Sequence, residues 1–416
     1  MIHASPIHHR IARGVMANGV VALAREIPDP DIVAVAVGIR AGARFETDAT
    51  AGVSKFVEKL LLQGTERRPG PDLVQRPIVV RGGAYGTQLG SEILIVSGQV
   101  RSTDVDVLMD VITDVILHSE FRADRKENEA RVILEELNAR RASPNTLAND
   151  LFLPAVFGTH PLARSTAGNL ENTPKLSLET ILAFRDQYLV GANTVVAVAG
   201  NISSAEAFSR IEDGFGNMPR GTAAAPSNVP PPAARAQRID HIAGSAQARV
   251  MIGGPLPGLD NADRFPLTVA NSMLGGSAFR LFKEIRDIRG LSYDPAPGQS
   301  VYPDAGLWMA AAGTDPANIE TVLDLLKAEH VRLGHEPLTD RELADAKDYL
   351  EGSLVVSLET PSAQSGQMIR DEIFGAPVLA PEHLESIRRV TAEDVLRVSR
   401  QHLDPDRATV VVVKPQ

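Results

Sequence analysis

The stretch Gly52-Val53-Ser54-Lys55-Phe56-Val57-Glu58-Lys59-Leu60 decides how this chain is read. Lys55 and Lys59 are four residues apart, so on a helix they share a face, and Glu58 lies one turn from Lys55. Taken alone, Lys-x-x-Glu-Lys describes an ordinary solvated face of an amphipathic helix with a charge pair on it. Other parts of the chain change that reading.

The chain has 416 residues, of which 44% are hydrophobic and 23% charged, with a formal net charge of −10. That length suggests roughly two to four domains, each able to bury its own core. The acidic balance argues against a nucleic-acid footprint and against docking on an anionic membrane. Cysteine is absent, which excludes disulfides, thiolate catalysis and thiolate metal sites. The segment from Met1 to Arg10 lacks the basic start and apolar core of a secretory signal. No apolar run approaches the roughly 20 residues that span a bilayer. A soluble, cytoplasmic protein is the expectation.

The clearest boundary is the proline- and alanine-rich run from Pro219 to Pro232, which has no periodicity and suggests a semi-rigid linker. The expected organisation is an N-terminal domain over 1–218, a linker over 219–237 and a C-terminal domain over 238–416. Candidate strands lie at Ile32–Ile39 and Ala248–Gly253. Two Thr-Val-Val runs, beginning at Thr194 and Thr409, lie about half the chain apart, as a duplicated domain would place them. Helical patterns cover Arg125–Arg141, ending before Pro144, and Thr321–Leu333. Strands and helices mix without regular βαβ alternation, so two α+β domains are expected rather than one doubly wound sheet.

Four stretches together resemble the pitrilysin-type inverted-zinc peptidases, the family of insulysin, pitrilysin and mitochondrial processing peptidase, and the resemblance covers nearly the whole chain. Asn18–Leu23 through Ala41–Glu46 is similar to the family's opening strands. Gly52–Thr65 is similar to its Gly-Leu-Ala-His-Phe-Leu-Glu-His stretch, where two neutral imidazoles bind zinc and the glutamate is the general base. Here lysine stands at both histidine positions, and an ammonium has three donors and no lone pair for a metal. In the later Glu-x6-Glu pattern, Glu136 falls on the third ligand position and Glu129 on the supporting one. After Gly82-Gly83, Gly86-Thr87 stands where the family commonly has asparagine and a small residue. Leu274–Tyr293 matches the family's Arg-Leu-…-Arg-x-x-x-Gly-Leu-x-Tyr stretch, in which the residues matching Arg286 and Tyr293 bind substrate opposite the zinc.

The resemblance implies two duplicated α/β sandwich domains of the mitochondrial-processing-peptidase type, forming half of a clam-shell dimer. It also implies a zinc-less subunit of a heterodimeric endopeptidase, inactive alone, that lends Arg286 and Tyr293 to a homologous partner with an intact His-x-x-Glu-His. Zinc would belong to the partner, and the substrates would be unstructured peptides. A guanidinium fork and a phenol can both donate to a peptide carbonyl oxygen, which suits that role. An inert scaffold or a peptide-binding subunit of the same fold stays open. The histidines offer no substitute ligands: His3, His8 and His9 cluster at the terminus, His330 and His335 are five apart, and His118, His160, His241, His383 and His402 are isolated. Lys55 and Lys59 together carry the charge of one zinc ion, so their ammonium groups are expected to pair with Glu58 and Glu136, because unpaired buried charge is costly.

Overall fold

Among the residues that the computed structural model describes, 11–225, 229–242 and 247–415, two sheets carry the fold. The first contains β1 (Ala12–Val15), β2 (Val21–Glu26), β3 (Ile32–Arg40), β4 (Ala84–Leu89), β5 (Ile93–Arg101) and β6 (Thr194–Gly200), in the order β1-β2-β6-β3-β5-β4. The second contains β7 (Gln237–Ile242), β8 (Ala248–Pro257), β9 (Ala296–Val301), β10 (Ala305–Thr314) and β11 (Thr409–Lys414), in the order β7-β11-β8-β10-β9. In each sheet one pair is parallel, β2 with β6 and β7 with β11, and the others are antiparallel. The second sheet therefore repeats the order β2-β6-β3-β5-β4 of the first, and the two Thr-Val-Val runs occupy equivalent strands. This is the α+β, duplicated architecture expected from the sequence.

The central strands are apolar at nearly every position because both of their faces are covered. On the second sheet, Val250, Ile252, Trp308, Val410 and Val412 enter one core, while Met251, Leu307, Ala311, Val411 and Val413 enter another. That alternation follows the two-residue period of a strand. On the first sheet, Val33, Val35, Val37 and Ile39 point into the main core, which leaves Ala34, Ala36 and Gly38 on the opposite face.

The covering helices exchange between the sequence halves. Helix Pro144–Phe157, from the first half, packs on β8 and β11, and helix Pro361–Phe374, from the second, packs on β3, β5 and β6. The compact units are accordingly Met1–Leu137 with Arg164–Pro226 and Val355–Pro381, and Asn138–Ala163 with Ser227–Leu354 and Glu382–Gln416. This division differs from the boundaries expected at 218 and 238. The physical reason is that each sheet has a second apolar face that helices of its own half leave bare. Small residues allow close seating: a Cβ on Gly38 would stand 2.1 Å from Ile369 Cγ2, and one on Gly253 would stand 2.8 Å from Phe152 Cζ. Within the first unit, Arg13 grips Glu372 with two hydrogen bonds of 3.0 and 2.8 Å, and Arg40 Nη2 donates to the Ile373 carbonyl at 2.7 Å. No helix among the described residues is long and apolar enough to cross a membrane.

Candidate functional site

Helix Val53–Leu61 is set by its start. Gly52 has φ 98°, in the left-handed region that a side chain would disfavour, and its Cα face abuts Gly168. The buried carboxylate of Glu46 then takes two otherwise orphaned backbone donors, Gly52 N at 2.8 Å and Ser54 N at 2.9 Å, and the Ser54 hydroxyl as well. Burial pushes the Glu46 carboxyl up in pKa, and the hydrogen bonds from Ser54 and Gly52 oppose it. With Val53, Phe56, Val57, Leu60 and Leu61 in the core, the helix presents Lys55, Glu58 and Lys59 along its other side.

These side chains converge with the helix Ala123–Ala142. Lys55 Nζ donates to Glu58 Oε2 at 2.7 Å and lies 4.0 Å from Glu136 Oε2, while Lys59 Nζ donates to Glu136 Oε1 at 2.5 Å. The pairing expected of the two ammonium groups is present. Glu58 is buried and also accepts from the Thr87 hydroxyl at 3.3 Å, so the residue that stands at the family's small-residue position, next to Gly86 at the asparagine position, joins the cluster. Glu129 is brought alongside but takes its hydrogen bond from Gln63 Nε2, at 2.8 Å. Burial raises the Glu129 carboxyl, with Lys59 opposing.

The donor set does not fit zinc. Two ammonium nitrogens occupy the positions that need lone pairs, and their charges are already matched to Glu58 and Glu136. Among the described residues, no three His, Asp or Glu side chains gather so as to hold a metal ion. His330 is buried against Trp308, with ring centroids 4.7 Å apart, and Nδ1 lies 2.7 Å from the Leu326 carbonyl. His160 contacts the Val229 carbonyl and His402 contacts Asp263. His3, His8 and His9 lie outside the described residues.

In the second unit, the chain from Phe282 to Asp287 opens into a π-helical turn, a local widening often found at functional sites. Gly290 follows with φ 63°, its N–H donating to the Arg286 carbonyl at 2.8 Å, and reverses the chain toward Tyr293. The result brings Arg286 and Tyr293 together: the guanidinium carbon stands 4.3 Å from the Tyr293 ring centroid and 4.4 Å from that of Phe282. Tyr293 is 79% exposed. Its loop is nonetheless fixed, because the next residue, Asp294, accepts from Arg249 Nη1 at 2.7 Å and Gly313 N at 3.0 Å. Glu46, Gln63, Phe282 and Asp294 had no signal in the sequence; each acts through a long-range or irregular contact that periodicity does not encode.

Residues 20–170 match the family model described as Insulinase (Peptidase family M16), and residues 175–350 match the one described as Peptidase M16 inactive domain. An uncharacterized zinc protease of Mycobacterium leprae is 28% identical over 95% of this chain and 89% of its own length. Another, YmxG of Bacillus subtilis, is 25% identical over 97% of this chain and 98% of its own. The fold is similar to that of a solved protease from Helicobacter pylori, with a TM-score of 0.92 and 19% identity over 98% of this chain and 100% of that one. A solved peptidase M16 inactive domain from Pseudomonas fluorescens gives 0.90, at 22% identity over 98% of each chain.

Proposed function

The chain belongs to peptidase family M16, and from that premise we propose that it is the zinc-less subunit of a heterodimeric zinc endopeptidase that degrades peptides. In this reading it is inactive alone and lends Arg286 and Tyr293 to the active site of a homologous partner with an intact His-x-x-Glu-His. The observation that carries the reading is a contrast within one chain. Where a metal would be held, Lys55 and Lys59 are ion-paired with Glu58 and Glu136; the Arg286 guanidinium, by contrast, stacks on Tyr293 and makes no hydrogen bond or ion pair to another side chain or carbonyl among the described residues.

The partner would supply metal, base and water. This chain's residues would bind and orient: the guanidinium and phenol donate to the carbonyl oxygen of an extended peptide and hold the negative charge that grows there as water adds. Unstructured peptides suit such a site because main-chain carbonyls must be free to accept. The test is to combine this chain with its zinc-bearing homologue and follow cleavage of an unstructured peptide. Arg286→Ala and Tyr293→Phe in this chain should each lower kcat about 10²-fold, the scale for losing one donor to a developing oxyanion. Unchanged activity would overturn the role. Absence of any stimulation by the wild-type chain would favour an inert scaffold, and peptide binding by this chain alone, without cleavage, a peptide-binding subunit.

A further inference from the structure

We propose that Phe282 is a positioning residue that presents Arg286 as an unpaired donor fork, an inference that rests on the role given above to Arg286. The guanidinium carbon lies over two rings, 4.4 Å from the centroid of Phe282 and 4.3 Å from that of Tyr293. A guanidinium is planar and its five N–H donors lie in that plane. Contact of the guanidinium carbon with two rings holds the group in place without using its donors, which stay available to whatever docks there. The two walls are unequal. Tyr293 is 79% exposed and reached only through its loop, whereas Phe282 is half-buried on the π-helical turn that also carries Arg286. Phe282 is therefore the inner wall, and Tyr293 covers the guanidinium from the solvent side.

The surroundings keep the fork from being spent internally. Glu284, the nearby carboxylate on the same turn, is taken by Arg289, whose Nη1 also donates to the Glu284 carbonyl at 2.9 Å. Asp294, beside Tyr293, is taken by Arg249 and Gly313 N. The π-helical register contributes directly: Ile288 N donates to the Lys283 carbonyl five residues back, and the widened turn seats Phe282 under Arg286 four residues on. Without the Phe282 ring, the long arginine side chain is free to swing toward Asp287, the other carboxylate on this turn.

Two readouts test this. In the 15N-labelled chain, the Arg286 Nε–Hε signal, assigned by its disappearance in Arg286→Ala, should be ring-shifted. It should move toward the free-arginine position in Phe282→Leu and stay in place in Phe282→Tyr; Phe282→Met serves as the ring-free variant if leucine unfolds the turn. With the zinc-bearing homologue and an unstructured peptide, Phe282→Leu should lower kcat about tenfold with little change in KM. Phe282→Tyr should restore the rate, and Phe282→Leu should add nothing on an Arg286→Ala background. An Arg286 signal unmoved by Phe282→Leu, or an equal rate loss in the presence and absence of Arg286, overturns the positioning role. Activity indifferent to Arg286→Ala would instead overturn the functional reading beneath it, and the spectrum would still decide whether Phe282 holds the guanidinium.

Discussion

Lys59 Nζ lies 2.5 Å from Oε1 of Glu136, 77 residues further along the chain. With the shorter-range pair of Lys55 and Glu58, it closes a four-charge cluster whose members are unequally buried: Glu58 is 7% exposed, whereas the Glu136 side chain is 43% exposed. The two lysines should therefore differ in their worth to the fold. Lys55→Met strands a buried carboxylate with only Thr87 as partner and should cost about 2–3 kcal/mol. Lys59→Met faces a carboxylate that water can solvate and should cost under about 1 kcal/mol. Denaturant midpoints decide it, and a larger loss for Lys59 would contradict the account. Glu58→Gln should recover part of the loss when added to Lys55→Met.

The same cluster predicts what histidine would do there. Lys55→His with Lys59→His removes two ammonium charges and supplies two lone pairs beside Glu136, an N2O donor set of the kind that binds zinc. The double variant should take up about one zinc per chain in a calorimetric titration, while the natural chain takes up none. Stoichiometric zinc in the natural chain would contradict the assignment of these positions as degenerate. No uptake by the double variant would mean that Glu136 is not placed to complete a site.

Burial holds His330 neutral, lowering it from 6.5 to about 4. Between those values the unfolded chain binds a proton that the folded chain does not, so stability falls as pH falls, by up to about 1.4 kcal/mol per pH unit and about 3 kcal/mol in all. Its neighbour Glu329 acts in the opposite sense, since burial raises that carboxyl and favours the folded state on the acid side of its shifted value. Comparing the natural chain with His330→Gln between pH 4 and 7 separates the two. The natural chain should lose more stability on acidification; parallel curves would show that His330 is not held neutral.

What could be read from sequence, and what could not, follows from how each feature is encoded. Ile32–Ile39 and the two Thr-Val-Val runs announced buried strands because both their faces are apolar, and they form β3, β6 and β11. The placement of Glu136 against Lys59 was legible only through the resemblance to the inverted-zinc peptidases, because the periods of two separate helices do not say that they meet. The helix exchange was not, because the apolar stripes of Pro144–Phe157 and Pro361–Phe374 say that they must be covered without saying by which sheet. Nor was the π-helical turn: over the six residues Phe282–Asp287, the α and π periods are indistinguishable in a pattern of apolar and charged residues. The Pro/Ala-rich run is a linker in composition, yet Ala224 N donates to Asn193 Oδ1 and Val229 N to Asp304 Oδ2, so parts of it are tied to the units it adjoins.

The exchange can itself be tested at one glycine. Gly38 on β3 leaves room for Ile369 of helix Pro361–Phe374, and an added Cβ would stand 2.1 Å from Ile369 Cγ2, closer than any real contact. Gly38 has no positive φ, so alanine there meets a packing conflict and no backbone strain. Gly38→Ala should cost about 1–3 kcal/mol as an overpacked site. Gly14→Ala on β1, where nothing lies within 4 Å of the added carbon, should be nearly neutral. The loss at Gly38 should shrink when Ile369→Ala is added, because alanine lacks the Cγ2 that the new methyl meets, so the two changes share one contact and are coupled rather than additive. Equal, small effects at Gly14 and Gly38 would mean that the helix from the second half does not rest on this sheet.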